Sequence, residues 1–299
     1  MRYIDEAAIE RVLRMEELIP AMRRAMIDFS QGRVEQPARR MLEVPPHAGF
    51  FGSMPAASHA ALGAKLVTFY PRNAERALHT HHAVIVLFRP DSGEPLVVMD
   101  ARLITELRTA AVSAAYVDAV AAPDVKTLAV LGAGTQGRSH IAALSCIRRF
   151  DEIRIWNRTP ERAQSLAEDV GALAVASRED AVRGADVVVV ATSSAEPILE
   201  GRWLKPGAKV ATVGWSGRDG CEVDAQAMSN VVIVDSREGA LTESGNVLRS
   251  RASIYAELGE VLSGSAPIAP NATVVFDSIG MACQDIAAGW LVCERLGIG

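Results

Sequence analysis

The stretch VKTLAVLGAGTQGRSHI, residues 125–141, joins a short apolar run to a complete G-x-G-x-x-G built from Gly132, Gly134 and Gly137. Each glycine has its own physical task. Gly132 permits a tight strand-to-helix turn, Gly134 lets the main chain approach a pyrophosphate, and Gly137 lets the following helix pack closely on its strand. The pyrophosphate would meet the helix N-terminus, where unpaired amides and the helix dipole favour negative charge. Three glycines in six positions also serve ordinary turns, so the context decides. Residues 126–131 read as a buried strand and 135–147 as a helix. A second strand at 153–156, about 20 residues past the motif, completes a βαβ unit. A dinucleotide site is therefore expected, with Thr135 and Gln136 of the glycine loop among its contacts.

The second strand runs into Trp156-Asn157-Arg158-Thr159. An NAD site normally places Asp or Glu here for the adenosine ribose hydroxyls. No carboxylate stands here to repel a 2′-phosphate, Arg158 can pair with one, and Arg162 follows a helical turn later, so the pattern favours NADP over NAD. The same residues also read as a helix start, with Thr159 as N-cap and Pro160 in the first turn. Both roles are compatible, because an N-cap loop is where the phosphate would lie.

Further strands at 186–191, 208–213 and 231–234 alternate with helical segments, as a doubly wound parallel sheet requires. Ligands bind at the C-terminal edge of such a sheet, which points to Thr192, Val213, Trp215, Ser216 and Asp235. Trp215 and Ser216 also read as plain loop, Asp235 as the N-cap of a helix starting near Glu238, and Glu243 as a solvated acid beside a Gly turn. Towards the N-terminus, residues 5–30 carry apolar positions at helical spacing, with Gly32 as a stop. From 39 to 99 short apolar runs at 50–54, 64–70, 83–88 and 96–99 read as a mainly antiparallel sheet, and Arg89-Pro90-Asp91-Ser92-Gly93 is a hairpin turn. Asp100 caps a long Ala-rich helix to about residue 121. A last helix, 280–296, lies beyond the alternation and is expected to return to the first domain. The expected fold is α/β: a Rossmann-type doubly wound parallel sheet over 122–271, plus an α+β domain of 1–121 with 272–299.

Composition narrows the class. The 299 residues are 49% apolar and 22% charged with a formal net charge of -5, and the cations are scattered, which argues against nucleic acid or an anionic membrane as partner. The N-terminus has no apolar signal region and no run approaches the roughly 18 apolar residues of a membrane span, so a cytoplasmic protein is expected. Cys146, Cys221, Cys283 and Cys293 lack C-x-x-C spacing, as reduced thiols do. His79 and His81 would share one strand face, yet no Cys or carboxylate ligand set with metal spacing lies nearby, and a ligand or cofactor contact needs only one of them.

Three cations stand among apolar neighbours: Arg39 after Gln36-Pro37, Lys65 in Gly63-Ala64-Lys65-Leu66-Val67, and Arg108 in Leu107-Arg108-Thr109-Ala110-Ala111. Arg offers a bidentate fork and Lys a point charge, so together they could clamp a small carboxylate in a cleft. Ordinary surface cations with stems packed on apolar neighbours would give the same pattern.

Taken together, the segments QPARR, GFFGSMPA, KLVTFY, VVMDARLITELRTAAVSA, VLGAGTQGRSH, RIWNRT, VDSREGALTESGNVL, YAELGEV and SIGMACQD resemble the ornithine cyclodeaminase and mu-crystallin family over nearly the whole chain. The resemblance implies a dinucleotide-binding domain, a substrate and dimerisation domain, a homodimer, and chemistry on α-imino acids. It matches Arg39, Lys65 and Arg108 to carboxylate-binding positions. Thr80, His81, Arg108, Thr109, Asn157, Arg158, Thr159 and Ser278 match cofactor-contacting positions of the mu-crystallin branch, and Glu243 a pocket residue. Two departures discriminate among activities. The family's cyclodeaminases carry Glu where Gly52 stands, and they and the alanine dehydrogenases carry Asp where Ser216 stands. Without the first carboxylate a diamine loses its charge partner, whereas an apolar cyclic imine needs none. Without the second, the usual proton handler for amine oxidation is missing.

The expected function is NADPH-dependent reduction of cyclic ketimine carboxylates, with Lys65 holding or supplying the proton and Ser216 or Glu243 assisting. The alternatives are oxidative deamination of the cyclodeaminase or alanine dehydrogenase type, and a binding protein that keeps NADPH and a small carboxylate without turnover.

Overall fold

The computed structural model describes residues 2–76, 78–214 and 217–298. Its main elements in chain order are β1 (Arg2–Ile4), α1 (Glu6–Val12), α2 (Met15–Ser30), β2 (Val34–Glu35), β3 (Arg40–Val44), β4 (Gly49–Ser58), β5 (Leu62–Phe69), β6 (His81–Phe88), β7 (Pro95–Asp100), α3 (Arg102–Val120), β8 (Thr127–Leu131), α4 (Thr135–Ile147), β9 (Glu152–Trp156), α5 (Pro160–Val170), β10 (Leu173–Ala174), α6 (Arg178–Val182), β11 (Val187–Val190), β12 (Lys209–Thr212), β13 (Val231–Val234), α7 (Arg237–Glu243), α8 (Gly245–Ser250), β14 (Ile254–Glu257), α9 (Leu258–Ser263), β15 (Val274–Asp277) and α10 (Ala282–Arg295). They form two compact units, Met1–Arg108 with Met281–Gly299, and Thr109–Gly280.

In the first unit the sheet runs β1-β7-β6-β5-β4-β2, with β3 also paired to β4. Its pairs are antiparallel except β1 with β7. The 89–93 turn closes the β6–β7 hairpin, with Gly93 N–H donating to the Arg89 carbonyl at 2.9 Å. Helix α1 starts at Asp5, whose carboxylate accepts from Ala8 N–H, and α2 buries Leu18, Ile19, Met22 and Met26 at the spacing of one helix face. Helix α10 packs on α2 and across β4, β5 and β6. Its Gly289 lets it approach closely, since a Cβ there would lie 3.3 Å from Met99 Sδ and 3.4 Å from Ile85 Cγ2.

The second unit is built on a parallel sheet of order β10-β9-β8-β11-β12-β15-β13-β14. Both faces are covered, so the strands read as unbroken apolar runs; the four valines of β11 are fully buried. Here the observed boundaries differ from the expected 121/122 and 271/272. Strand β15 sits inside the parallel sheet, between β12 and β13, and the later turns of α3 pack on it: the Tyr116 hydroxyl donates to the Val274 carbonyl at 3.0 Å and its ring lies 5.1 Å from that of Phe276. The second unit therefore begins within α3 and ends just after β15. None of the described helices is long and apolar enough to cross a membrane.

Candidate active site

The sequence places a lysine in the middle of a strand, and the first unit has a specific answer to its charge. Lys65 lies on β5 between Met54 of β4 and Ile85 of β6 and is only 2% exposed. A buried ammonium needs a partner, and α10 supplies Asp285, whose Oδ2 lies 2.8 Å from Lys65 Nζ. The same carboxylate accepts from Arg108 Nε through Oδ1 at 3.0 Å, while Arg108 Nη1 donates to Gln284 Oε1 at 2.6 Å. The Gln36 side chain accepts from Cys283 N–H at 2.8 Å, which ties the segment leading to Arg39 onto the start of α10.

Burial pushes the Lys65 pKa down to about 8; Asp285 opposes this, and repulsion from Arg108 and Arg39 adds to it. Both expected arginines thus lie close enough to repel the Lys65 ammonium. Two buried cations, Lys65 and Arg108, share one buried anion, so this group carries more positive than negative charge. A small carboxylate is the kind of ligand that would balance it. At the end of β6, His81 stacks on Phe69 with ring centroids 4.5 Å apart and pairs with the Thr80 hydroxyl at 3.1 Å. Desolvation of the ring, and after it the charges of Lys65 and His82, lower its pKa. Strand β6 begins at His81, so His79 lies outside the strand and shares no face with it.

In the second unit the glycine loop follows β8. Gly132 has φ +119, and a Cβ there would lie 2.3 Å from the Ala191 carbonyl oxygen. A Cβ on Gly137 would lie 2.0 Å from the Gly132 carbonyl oxygen, whereas at Gly134, the N-cap of α4, nothing lies within 4 Å. Gly132 and Gly137 are demanded by close packing, and Gly134 leaves open space at a helix N-terminus. That cradle fits a pyrophosphate. The Gln136 side-chain oxygen is buried without a protein partner among the described residues, as a ligand-facing amide would be. Thr135 is exposed at the start of the same helix.

Asn157 braces the cradle: its Oδ1 accepts from Ala133 N–H at 3.1 Å and its Nδ2 donates to the Thr159 carbonyl at 3.0 Å. Thr159 is the N-cap of α5 by position, but its side chain makes no capping bond. Arg158 and Arg162 are exposed at this helix start, with Glu161 between them.

The C-terminal edge of the sheet carries buried acids that sequence reading missed or misplaced. Glu222 Oε1 accepts from Thr192 N–H at 2.8 Å and from its hydroxyl. Gly214 packs against this carboxyl so closely that a Cβ would lie 2.2 Å from Glu222 Oε2. Burial raises Glu222 to about 8 against the hydrogen bonds from Thr192 and Gly214. Asp277 accepts from Thr212, Ser244 and Asn246 side chains at 2.7, 2.5 and 2.7 Å, and Asn246 in turn accepts from Glu222 N–H at 2.8 Å.

Asp235 caps no helix. Ser236 does, accepting from Gly239 N–H at 3.1 Å, while Asp235 accepts from Ser278 Oγ at 3.0 Å and from Gly280 N–H at 2.8 Å, fixing the turn after β15. Ser278 is thus a buried part of this turn, and Val213 N–H continues the β11–β12 pairing to Val190 at 2.9 Å. Thr109 is buried at the start of the second unit, and Glu243, partly exposed, ends α7 there. Trp215 and Ser216 lie outside the described residues.

Over nearly its whole length the chain is similar to known proteins. Ketimine reductase mu-crystallin from Rattus norvegicus is 46% identical over 290 residues, which cover 94% of this chain and 93% of the relative. Among solved structures, Delta(1)-pyrroline-2-carboxylate reductase of Thermococcus litoralis, in complex with NADH and L-proline, superposes with a TM-score of 0.94 at 30% identity, covering 100% of this chain and 99% of that one. An archaeal alanine dehydrogenase dimer with bound NAD gives 0.92 at 27% identity, covering 99% and 95%. The protein is accordingly an NAD(P)-dependent oxidoreductase. A sequence profile of the Ornithine cyclodeaminase/mu-crystallin family matches residues 3–298, and the chain belongs to that family.

Proposed function

We propose that the protein reduces cyclic ketimine carboxylates, piperideine- or pyrroline-2-carboxylate, to cyclic amino acids with NADPH as reductant. The observation that carries the proposal is the pair of buried cations, Lys65 and Arg108, held on the single carboxylate of Asp285 with the charge of Arg39 nearby. A substrate carboxylate would be bound by this excess positive charge, with arginine supplying a fork and lysine a point charge. A bound nicotinamide dinucleotide would supply the hydride. The protein's part is to hold the imine carbon in place, which removes much of the entropic barrier, and to keep the imine nitrogen protonated. Lys65, lowered to about 8, holds a proton at neutral pH and gives it up readily. Ser216 and Glu243 are the proposed assistants in that transfer.

The apolar side of the site supports a ring without a distal charge. A Cβ at Gly52, where the family's cyclodeaminases carry Glu, would lie 2.6 Å from Met41 Sδ and 3.1 Å from Val67 Cγ1. Met41 thus fills the space a carboxylate side chain would need. The choice of NADPH over NADH rests on Arg158 and Arg162 at the exposed start of α5 and on Asn157 in place of an acid. The rest of the nucleotide is assigned to Thr80, His81, Arg108, Thr109, Gly132, Gly134, Thr135, Gln136, Gly137, Thr159, Thr192, Val213 and Ser278. The first unit is taken as the substrate and dimerisation domain of a homodimer. Following NADPH absorbance with both imines, with NADH and ornithine as controls, tests the proposal. Oxidation is expected with at least one imine and not with ornithine; no oxidation with either imine would reject it.

A further inference from the structure

Asp285 belongs to no expected set of functional residues, yet three elements converge on it. It is fully buried in the first turn of α10, and its two oxygens are divided: Oδ2 faces Lys65 from β5 at 2.8 Å, and Oδ1 accepts from Arg108 of α3 at 3.0 Å. Gln284 holds a second nitrogen of Arg108 and accepts from Met281 N–H at 3.2 Å, so the arginine cannot swing away from the carboxylate. One turn further along α10, the close approach at Gly289 sets the height of the helix over the sheet. We propose that Asp285 is the positioning residue of the clamp, one oxygen orienting the Lys65 ammonium and the other the Arg108 guanidinium, so that both stay aligned for a ligand carboxylate. The assignment rests on Lys65 and Arg108 being that clamp.

The groups that bear on Lys65 from the surrounding elements are Asp285 on α10, Arg108 on α3, Arg39 ahead of β3 and His81 on β6. Asp285 alone among them is an anion. An ion pair that merely let α10 pack on the sheet would show in the melting temperature. A positioning carboxylate shows in addition in the pH at which Lys65 loses its proton, because Asp285 is what raises that pKa against burial and the repulsion from Arg108 and Arg39.

The test is Asp285→Asn in the full-length protein. In the wild type the basic limb of kcat/KM for a cyclic imine carboxylate is expected near pH 8. In the variant the limb should move towards acid by about one pH unit or more and KM should rise by at least about tenfold. Asp285→Glu, which keeps the charge on a longer arm, should hold the limb near its wild-type position and still raise KM. It carries the test if Asp285→Asn does not fold. An unmoved limb in Asp285→Asn, or a wild-type KM in Asp285→Glu, would overturn the proposal. If the wild type reduces neither imine, the functional proposal fails alone, and calorimetric binding of L-proline across pH decides on Asp285. Weaker binding in Asp285→Asn with an acid-shifted pH dependence supports it; equal binding in wild type and variant, or none in the wild type, overturns it.

Discussion

The buried charges of the two units are organised in opposite ways. Around Asp285, cations outnumber the anion: Lys65 and Arg108 share one carboxylate. At the C-terminal edge of the parallel sheet, each acid is instead met by protein donors. Asp277 takes three side chains, Asp235 takes Ser278 and the turn amides, and Glu222 takes both polar groups of Thr192. A satisfied acid braces loops; an unbalanced cation cluster attracts an anion. Burial and a shifted pKa alone would flag Glu222 and Lys65 equally. What separates them is charge: Lys65 shares its carboxylate with a second cation, Arg108, whereas Glu222 is met by the neutral donors of Thr192.

The sharpest way to break this contrast is to remove a member of the unbalanced cluster. Lys65→Met should lower turnover of a cyclic imine carboxylate by about 10²- to 10⁴-fold, the usual weight of a general acid, with little change in NADPH affinity. Steady-state kinetics with unchanged turnover would remove Lys65 from the chemistry. A smaller effect is expected at the exposed arginines of the nucleotide cradle. Arg158→Ala should weaken NADPH by about tenfold and leave NADH nearly unaffected, and fluorescence titration showing equal losses for both would sink the 2′-phosphate assignment.

The smallest effect belongs to the buried acids of the second unit. Glu222, raised from 4.5 to about 8, keeps in the fold a proton that the unfolded chain has released above pH 4.5. Its contribution to stability is fully present below that pH, falls as pH rises, and is lost above 8. Glu222→Gln removes this titration. The wild-type melting temperature should therefore drop relative to the variant between pH 5 and 8 and run parallel to it above 8. Parallel courses throughout would show that Glu222 is not a buried neutral acid.

Local signals carried much of the fold. The observed α4 and β13 have the bounds that periodicity assigns, and Gly132, Gly134 and Gly137 announced the cradle because each answers to the backbone within a few residues. Non-local partners were not legible. Asp285 sits 177 residues after Arg108 in the chain, and nothing beside it in the helix pattern marks it as the shared anion. Strand β15 enters the sheet between β12 and β13 although it follows β13 and β14 in sequence, so alternation along the chain could not place it. At Asp235-Ser236 two adjacent cap formers competed, and the acid was drawn to the amides of the turn at 279–280 instead. The three cations were visible as residues out of place among apolar neighbours; their mutual repulsion was not.

On the proposed function, the excess positive charge of Lys65 and Arg108 over Asp285 captures a substrate carboxylate for imine reduction. The most direct measurement compares NADPH oxidation with pyrroline-2-carboxylate and with 1-pyrroline, the same ring without the carboxylate. Efficient turnover of the first and a loss of about 10²-fold or more in kcat/KM for the second is the expected result. Equal rates for the two imines, or turnover of neither, would contradict it.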